Sequence, residues 1–305
     1  MGKIIQFIHG GKDNSEVVEG VANWTKLKSN HNRKLLKYRG NYISNLKNLE
    51  AKIESGKDKE LLFWAEWEPP TSVERVSRSR NQIFSGDQNR DKIKYLHTPT
   101  PVPKIKKTNC KYQNTDPYVL GKRFFYSNCL QKTKGKGIGL HDLNRGDIIL
   151  FGSRHSEKFY VDTVFVVGNR ECVYTKKDIG KRIEATSGVF KTTVTDRVLS
   201  ISDRDSKWTL YSAAMFNDSN EDINNMFSFF PCRLADSAQN FSDIKLDFND
   251  EKFELTSNLS QSFKVIKKEN MFDYWQTMVE ETFRQNLLLG WCSDEPPLSD
   301  DLKYL

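Results

Sequence analysis

Short runs of β-branched and aromatic residues, bounded by glycine, proline and polar residues, predict that much of this chain is β-sheet. A strand is expected over residues 4–8, ended by His9 and two glycines that allow a tight turn. Residues 146–152 and 159–167 are the strongest β segments, and the short polar stretch between them predicts a hairpin. Further strands are expected over residues 208–211 and 226–231.

Two other segments carry hydrophobic residues at helical spacing. Over about residues 32–55, leucines and isoleucines recur every three or four positions around a break at Gly40, which predicts two helices or one kinked helix. Near the end, Asn270 precedes an amphipathic pattern that stops at Gly290. This pattern predicts a helix over about residues 270–290 whose apolar face packs on the core.

A polar, turn-rich stretch over about residues 77–111 predicts a long basic loop. It contains alternating prolines followed by lysines, of which Lys104, Lys106 and Lys107 are candidate phosphate contacts. A connection of this length in a compact domain is usually functional or flexible, so it could form the wall or lid of a site.

The predicted strand over residues 61–67 carries acids and indoles where a core strand would be apolar. Side chains alternate along a strand, so Trp64, Glu66 and Glu68 are expected on one face and Trp67 on the other. An indole beside hydrogen-bond acceptors suits a nucleobase, whose ring can stack while its amino and imino edges donate to the acids. The plainer alternative is a strand end at which Glu66 or Glu68 pairs with an arginine.

The composition is that of a folded protein with a positive charge. Its 19 Phe, 11 Tyr and 6 Trp argue against disorder, and its 305 residues allow one large domain or two small ones. The net charge of +7 favours polyanionic partners without selecting nucleic acid. The five cysteines are odd in number and lack a C-x-x-C motif, so a reducing cytoplasm fits best. No apolar run approaches about 20 residues, so neither export nor membrane insertion is expected.

The acidic residues also allow an enzyme. Neighbouring carboxylates push their pKa values apart, so Glu66 and Glu68 could act as acid and base, with Asp116 as a third member of an acidic centre. The histidines lack metal-ligand spacing, so neither a metal nor another cofactor is expected. Arg33 and Lys34 could contact phosphate, although a solvated helix face would give the same pattern.

The two hairpin segments resemble the strand, turn and strand of PUA-like barrels, the group that includes ASCH and EVE domains. The shared element is the turn at Gly146 and Asp147 that enters a barrel strand. Taken with residues 63–70, residues 114–118 and the opening strand, the chain also resembles an uncharacterised bacterial family described as nucleotide-modification-associated domains. This resemblance spans roughly residues 1–235.

The resemblance implies an α+β fold with a PUA-like β-barrel core over residues 1–235, which includes the helical segment and the basic loop. Residues 236–305 would form a C-terminal extension whose amphipathic helix packs on the core. The mouth of such a barrel would hold an RNA segment or an extruded modified base. The residues predicted to line it are Trp64, Glu66, Trp67, Asn114, Asp116, Tyr118, Tyr126 and Asn128.

The leading hypothesis is therefore recognition of RNA, DNA or a modified nucleotide, in nucleic-acid modification or in defence against phage. The alternative is a hydrolase or transferase that acts on a nucleotide or nucleic acid through its Glu and Asp residues. The oligomeric state stays open at this point.

Overall fold

The computed structural model describes residues 1–8, 17–18, 21–22, 33–75, 95–103, 115–131, 139–155, 158–178, 181, 183–201, 206–237, 244–247 and 261–300. The predictions made for His9, Lys104, Lys106, Lys107 and Asn114 lie outside these residues.

Strands dominate the described chain, and its helices are few. The strands are β1 (Gly2–Ile8), β2 (Val17–Val18), β3 (Val21–Ala22), β4 (Arg33–Ile43), β5 (Gly56–Glu66), β6 (Thr71–Arg75), β7 (Tyr95–Pro99), β8 (Val102–Pro103), β9 (Phe125–Tyr126), β10 (Ile148–His155), β11 (Lys158–Thr175), β12 (Lys207–Ala213), β13 (Phe230–Leu234), β14 (Leu246–Asp247), β15 (Gln261–Ile266), β16 (Leu288–Ser293) and β17 (Leu298–Ser299). The α-helices are α1 (Leu46–Glu50), α2 (Gly188–Phe190), α3 (Asp196–Ile201) and α4 (Met271–Arg284), and a π-helical stretch, Lys191–Thr195, joins α2 to α3.

Most of these strands belong to two mixed sheets. The first has seven strands in the order β15-β1-β10-β11-β12-β9, with β14 paired to β11. The second has eight strands in the order β16-β13-β5-β4-β7-β6-β3-β2. The expected opening strand is present as β1, which runs parallel to β10 and antiparallel to β15.

The hairpin predicted from the strongest β segments is confirmed as β10 and β11. Its ladder pairs Ile148 with Val166, and the register shifts where Phe151 faces Thr163 and Gly152 faces Val161. Asp162 is therefore the extra residue of a β-bulge. A Cβ on Gly152 would lie 2.0 Å from the backbone oxygen of Tyr160, so only glycine fits opposite this bulge.

The helical prediction for about residues 32–55 is wrong over most of its length. Arg33–Ile43 forms β4, and only Leu46–Glu50 forms a helix. Leu35 and Leu36 are both fully buried, but in different hydrophobic clusters. Because β4 buries both faces, its leucines lie next to each other in sequence instead of alternating with polar residues, which removed the usual signal of a strand.

The long basic loop is also only partly what was predicted. Within about residues 77–111, the described residues form strands β7 and β8. β7 joins the second sheet beside β4 and β6, and β8 pairs with β17.

Four strands of the second sheet form a closed circuit of hydrogen-bonded neighbours. β4 pairs with β5, β5 with β13, β13 with β16, and β16 with β4. Phe63 and Phe230 stack at 4.1 Å between ring centroids on these strands. The PUA-like barrel itself stays a prediction.

The C-terminal amphipathic helix is present as α4, although it ends at Arg284 instead of about residue 290. Asn286 has a left-handed φ of 56°, and β16 begins two residues later. The buried residues Met271, Trp275 and Met278 join the cluster formed by side chains of β1, β10 and β11. Among the described residues, no helix is both long enough and apolar enough to cross a membrane.

We expect Gly290→Ala to destabilise the protein by about 1–3 kcal/mol, because overpacking a filled core forces side chains and backbone to shift. A Cβ at this position would lie 2.0 Å from the ring of Phe230. Urea denaturation measures the change in the free energy of unfolding. If steric overlap is the cause, the double variant Gly290→Ala/Phe230→Leu should lose less free energy of unfolding than the two single variants lose in sum. Additive costs would contradict it.

Candidate functional site

The structure divides the predicted ligand-binding residues other than Trp67 and Asn114 among three places. Trp64 and Glu66 lie on one face of β5 near its end. Asp116, Tyr126 and Asn128 lie together in the interior around β9. Tyr118 lies at a separate surface cleft.

The predicted opposite directions of Trp64, in β5, and Trp67, which directly follows β5, are confirmed. Trp64 belongs to a small cluster with Leu35, Leu62, Leu96 and Ile244. Trp67 points into the main core, where its ring lies 6.4 Å from that of Tyr118 and is fully buried. Trp67 is thus a core residue in this structure, and Trp64 is the indole surrounded by charge.

We call Arg33, Trp64, Glu66, Asp162 and Lys245 the Trp64 cluster. The guanidinium carbon of Arg33 lies 5.4 Å from the centre of the indole, and the ammonium of Lys245 lies 4.5 Å from it. Arg33 also forms an ion pair with Asp162, and it stands opposite Glu66 in the ladder between β4 and β5. Two cations therefore lie over one aromatic ring, and the first of them pairs with a carboxylate.

All five members of the Trp64 cluster are only 4% to 7% exposed. Removing a charge from water costs several kcal/mol unless a partner compensates for it, so buried charges are rare without pairing. Their concentration at one position, where β4 and β5 of the second sheet meet β11 of the first, is typical of functional sites as well as of structural ion-pair networks. The pairing of Arg33 with Asp162 joins the two sheets.

Two members of the Trp64 cluster, Asp162 and Lys245, were not predicted from the sequence. Asp162 interrupts an apolar run in β11, and the bulge places its carboxylate against Arg33. Lys245 precedes β14, which pairs with β11 at Tyr160 and Val161. The sequence does contain a signal for Asp162: it is the single charged residue in the predicted strand over residues 159–167, and a buried acid needs a partner.

Lys34 and Glu68 occupy different surroundings from the Trp64 cluster. Lys34 faces Ala65 across the ladder, is buried, and donates from Nζ to the carbonyl of Pro69 at 3.1 Å. Glu68 is buried as well, and its backbone N–H donates to Thr115 Oγ1 at 3.2 Å. The two basic residues predicted as phosphate contacts on a helix are thus buried neighbours on a strand, and Arg33 is the one beside the indole.

Asp116 has a clear structural role. Its carboxylate accepts hydrogen bonds from the backbone N–H groups of Ser127 at 2.9 Å, Asn128 at 2.9 Å and Cys129 at 2.7 Å. Tyr126, the last residue of β9, donates its hydroxyl to the carbonyl of Cys129 in the same loop at 2.7 Å. These contacts indicate that Asp116 anchors the loop after β9, a role that differs from the predicted acidic centre.

Tyr118 borders a cleft of about 480 Å³ that we call the Glu295 cleft. Its hydroxyl donates to Oε1 of Glu295, and the hydroxyl of Ser187 donates to the same oxygen at 2.5 Å. Burial, together with the charge of Glu295, raises the pKa of Tyr118 well above its usual value of 10.0. Tyr118 therefore stays protonated at physiological pH and serves as a fixed donor.

Metal and thiol chemistry receive little support from the described residues. Among them, no three His, Cys, Asp or Glu side chains are grouped to hold a metal ion. Cys129, Cys172, Cys232 and Cys292 are free thiols. Burial raises the pKa of Cys232, and burial with nearby carboxylates raises that of Cys292 to about 11. Both thiols are therefore protonated and weakly nucleophilic near neutral pH.

No protein-family model matches this sequence, no curated protein matches it, and no solved structure matches the fold. We therefore infer the function from the geometry of the chain.

We expect Asp162→Asn to destabilise the protein by about 3–5 kcal/mol, because it removes the carboxylate that forms an ion pair with the buried Arg33. Glu60→Gln is the matched control, since Glu60 pairs with Lys37 at 3.5 Å on the surface. The control should cost no more than about 1 kcal/mol. Thermal and urea unfolding measure both changes. Equal costs would show that the buried pair has no special role.

Asp116→Asn should also destabilise the protein, by about 1–3 kcal/mol, because the amide group cannot accept all three backbone hydrogen bonds. Asp178→Asn is a suitable comparison, since Asp178 accepts from the N–H of Thr175 in a more exposed turn. Hydrogen exchange at the amides of residues 127–129 should speed up only in the Asp116 variant. Unchanged exchange there would contradict the anchoring role.

Proposed function

We propose that this protein binds a nucleotide, free or within a nucleic-acid strand, at the Trp64 cluster. The observation that supports this most directly is an indole with two cations over its ring, on the same strand as Glu66, all nearly buried where the two sheets meet. These groups match the three parts of a nucleotide that proteins recognise: a flat ring, its donor edges and a phosphate.

Each group has a distinct task in this proposal. A base stacked on Trp64 would gain about 1–3 kcal/mol, and its amino or imino edge would donate to Glu66. Arg33 and Lys245 would pair with the phosphate through charge-assisted hydrogen bonds. Without a ligand, contacts with the indole and with Asp162 compensate these cations. Ligand binding would exchange those internal contacts for external ones.

The net charge of +7 supports a polyanionic ligand over an isolated base. With the resemblance to nucleotide-modification-associated domains, it leads us to propose a role in nucleic-acid modification or in defence against foreign DNA. RNA, DNA and modified nucleotides all remain within this proposal.

The second candidate is a hydrolase or transferase that acts on the same class of ligand. The observation in its favour is the buried carboxylate of Glu66 opposite Arg33. If Glu66 is a general acid or base, Glu66→Gln should abolish turnover and leave ligand affinity within a few fold. If it only recognises a base edge, the same change should lower affinity.

The decisive test is quenching of tryptophan fluorescence by single-stranded oligonucleotides at two salt concentrations. Quenching should weaken at high salt because counterion release contributes to phosphate binding. Trp64→Phe should remove most of the quenching and weaken binding about tenfold, as expected from the loss of part of one base stack. Trp291→Phe is the matched control, because Trp291 is buried in the other hydrophobic cluster beside Phe216.

Fluorescence anisotropy of a labelled oligonucleotide gives the affinity independently of the protein's own indoles. Binding that is equal in the wild type and Trp64→Phe would rule out the proposed site. Binding that survives high salt unchanged would rule out the phosphate contacts.

A further inference from the structure

The Glu295 cleft is a second site, distant from the Trp64 cluster along the β4 and β5 ladder. That ladder pairs Arg33 with Glu66 at one end and Gly40 with Lys59 towards the other. Asp58 borders the cleft and lies six positions before Trp64, about 20 Å along an extended strand. A ligand in the cleft would therefore be separate from the nucleotide proposed above.

The carboxylate of Glu295 is already oriented for a ligand. Oε1 accepts from both Tyr118 and Ser187, and Tyr118 is almost completely buried. The described residues supply no hydrogen-bond donor to the other oxygen, Oε2. Two hydroxyl donors hold one oxygen of the carboxylate in place and leave its second oxygen for the cleft.

Several charged groups around the cleft already have partners. Asp294 pairs with Arg39 at 2.6 Å, and Arg123 pairs with Asp218 at 2.7 Å. The other charged residues among the described lining of the cleft are two acids, Asp58 and Glu295, and one base, Lys122.

The pKa values of Cys292 in the cleft and of Tyr38 beside it respond in part to this negative charge. Burial first, and then the charges of Asp294 and Glu295, raise the pKa of Tyr38 to about 12. Burial is again the largest cause of the raised pKa of Cys292; the charges of Glu54, Asp294 and Asp58 act in the same direction, and Lys122 opposes them. Binding of a cation near these carboxylates, in addition to Lys122, would be electrostatically favourable.

We propose that the Glu295 cleft binds a small organic cation whose ammonium or guanidinium group donates to Oε2 of Glu295. The rings of Tyr118 and Phe125 and the side chain of Leu120, which also line the cleft, would contact the apolar part of the ligand. Asp58 would add a second attraction at the exposed side of the cleft, and Lys122 would oppose binding.

The test uses butylamine as the cationic probe, agmatine as a guanidinium probe, and butanol as the neutral comparator. Each is titrated into the full-length protein and followed by amide chemical shifts. Shifts are expected at residues 120–123 and 292–295 with both cations and not with butanol. They should weaken as salt rises, because exposed charge pairs are screened.

Glu295→Gln should weaken agmatine binding at least about tenfold, the size expected from losing one charge-assisted hydrogen bond. The change keeps an acceptor for Tyr118 and Ser187, so the fold is expected to survive. Glu280→Gln is the matched control, since Glu280 is an exposed carboxylate on α4 outside the cleft.

Lys122→Met provides a gain-of-function check that does not touch the carboxylate. It should strengthen agmatine binding a few fold by removing the opposing charge. Butanol binding as well as butylamine, or agmatine shifts that persist in Glu295→Gln, would overturn the proposal. Oligonucleotide binding should be the same in Glu295→Gln and the wild type, so failure of the cation site and failure of the nucleotide site are distinguishable.

Discussion

The antiparallel ladder between β4 and β5 is the constraint on which the rest of this structure depends. It pairs Arg33–Ile43 with Gly56–Glu66 and is covered by hydrophobic clusters on both faces. Because side chains alternate across it, Leu36, Phe63 and Trp67 enter the main core, whereas Leu35 and Trp64 face the smaller cluster. The direction of this ladder therefore decides that Trp67 packs in the main core and that Trp64 lies beside charged side chains. It also separates the Trp64 cluster from the Glu295 cleft.

Charge burial at the Trp64 cluster depends on how the two sheets meet. The bulge at Asp162 brings a carboxylate from β11 to Arg33 of β4, and Gly152 provides the room for that bulge. The resulting ion pair costs desolvation, which a hydrophobic contact at this position would avoid. The pair lies beside a second cation, Lys245, over the same indole. The nucleotide proposal rests on this concentration of buried charge around one aromatic ring.

Hydrogen-bond requirements explain why other polar residues in the interior need no ligand. Asp116 satisfies three successive backbone N–H groups after β9, and the hydroxyl of Tyr126 satisfies a carbonyl in the same loop. Buried backbone donors without acceptors are costly, so a carboxylate in this role is a structural necessity. Glu295 differs, because two hydroxyl groups hold one of its oxygens while the other is left to a cleft.

The sequence by itself determined those features that depend on residues close together along the chain. The hairpin of β10 and β11, the helix α4 and the opposite directions of Trp64 and Trp67 all follow from local periodicity, and all are present. The prediction of a helix in place of β4 is wrong because burial on both faces removes the alternation of apolar and polar residues by which a strand is recognised. Asp162, Lys245 and Glu295 acquired their roles only through tertiary structure. Their partners Arg33, Trp64 and Tyr118 are far away in sequence, and neither composition nor spacing records which distant side chains a bulge or a strand crossing will bring into contact.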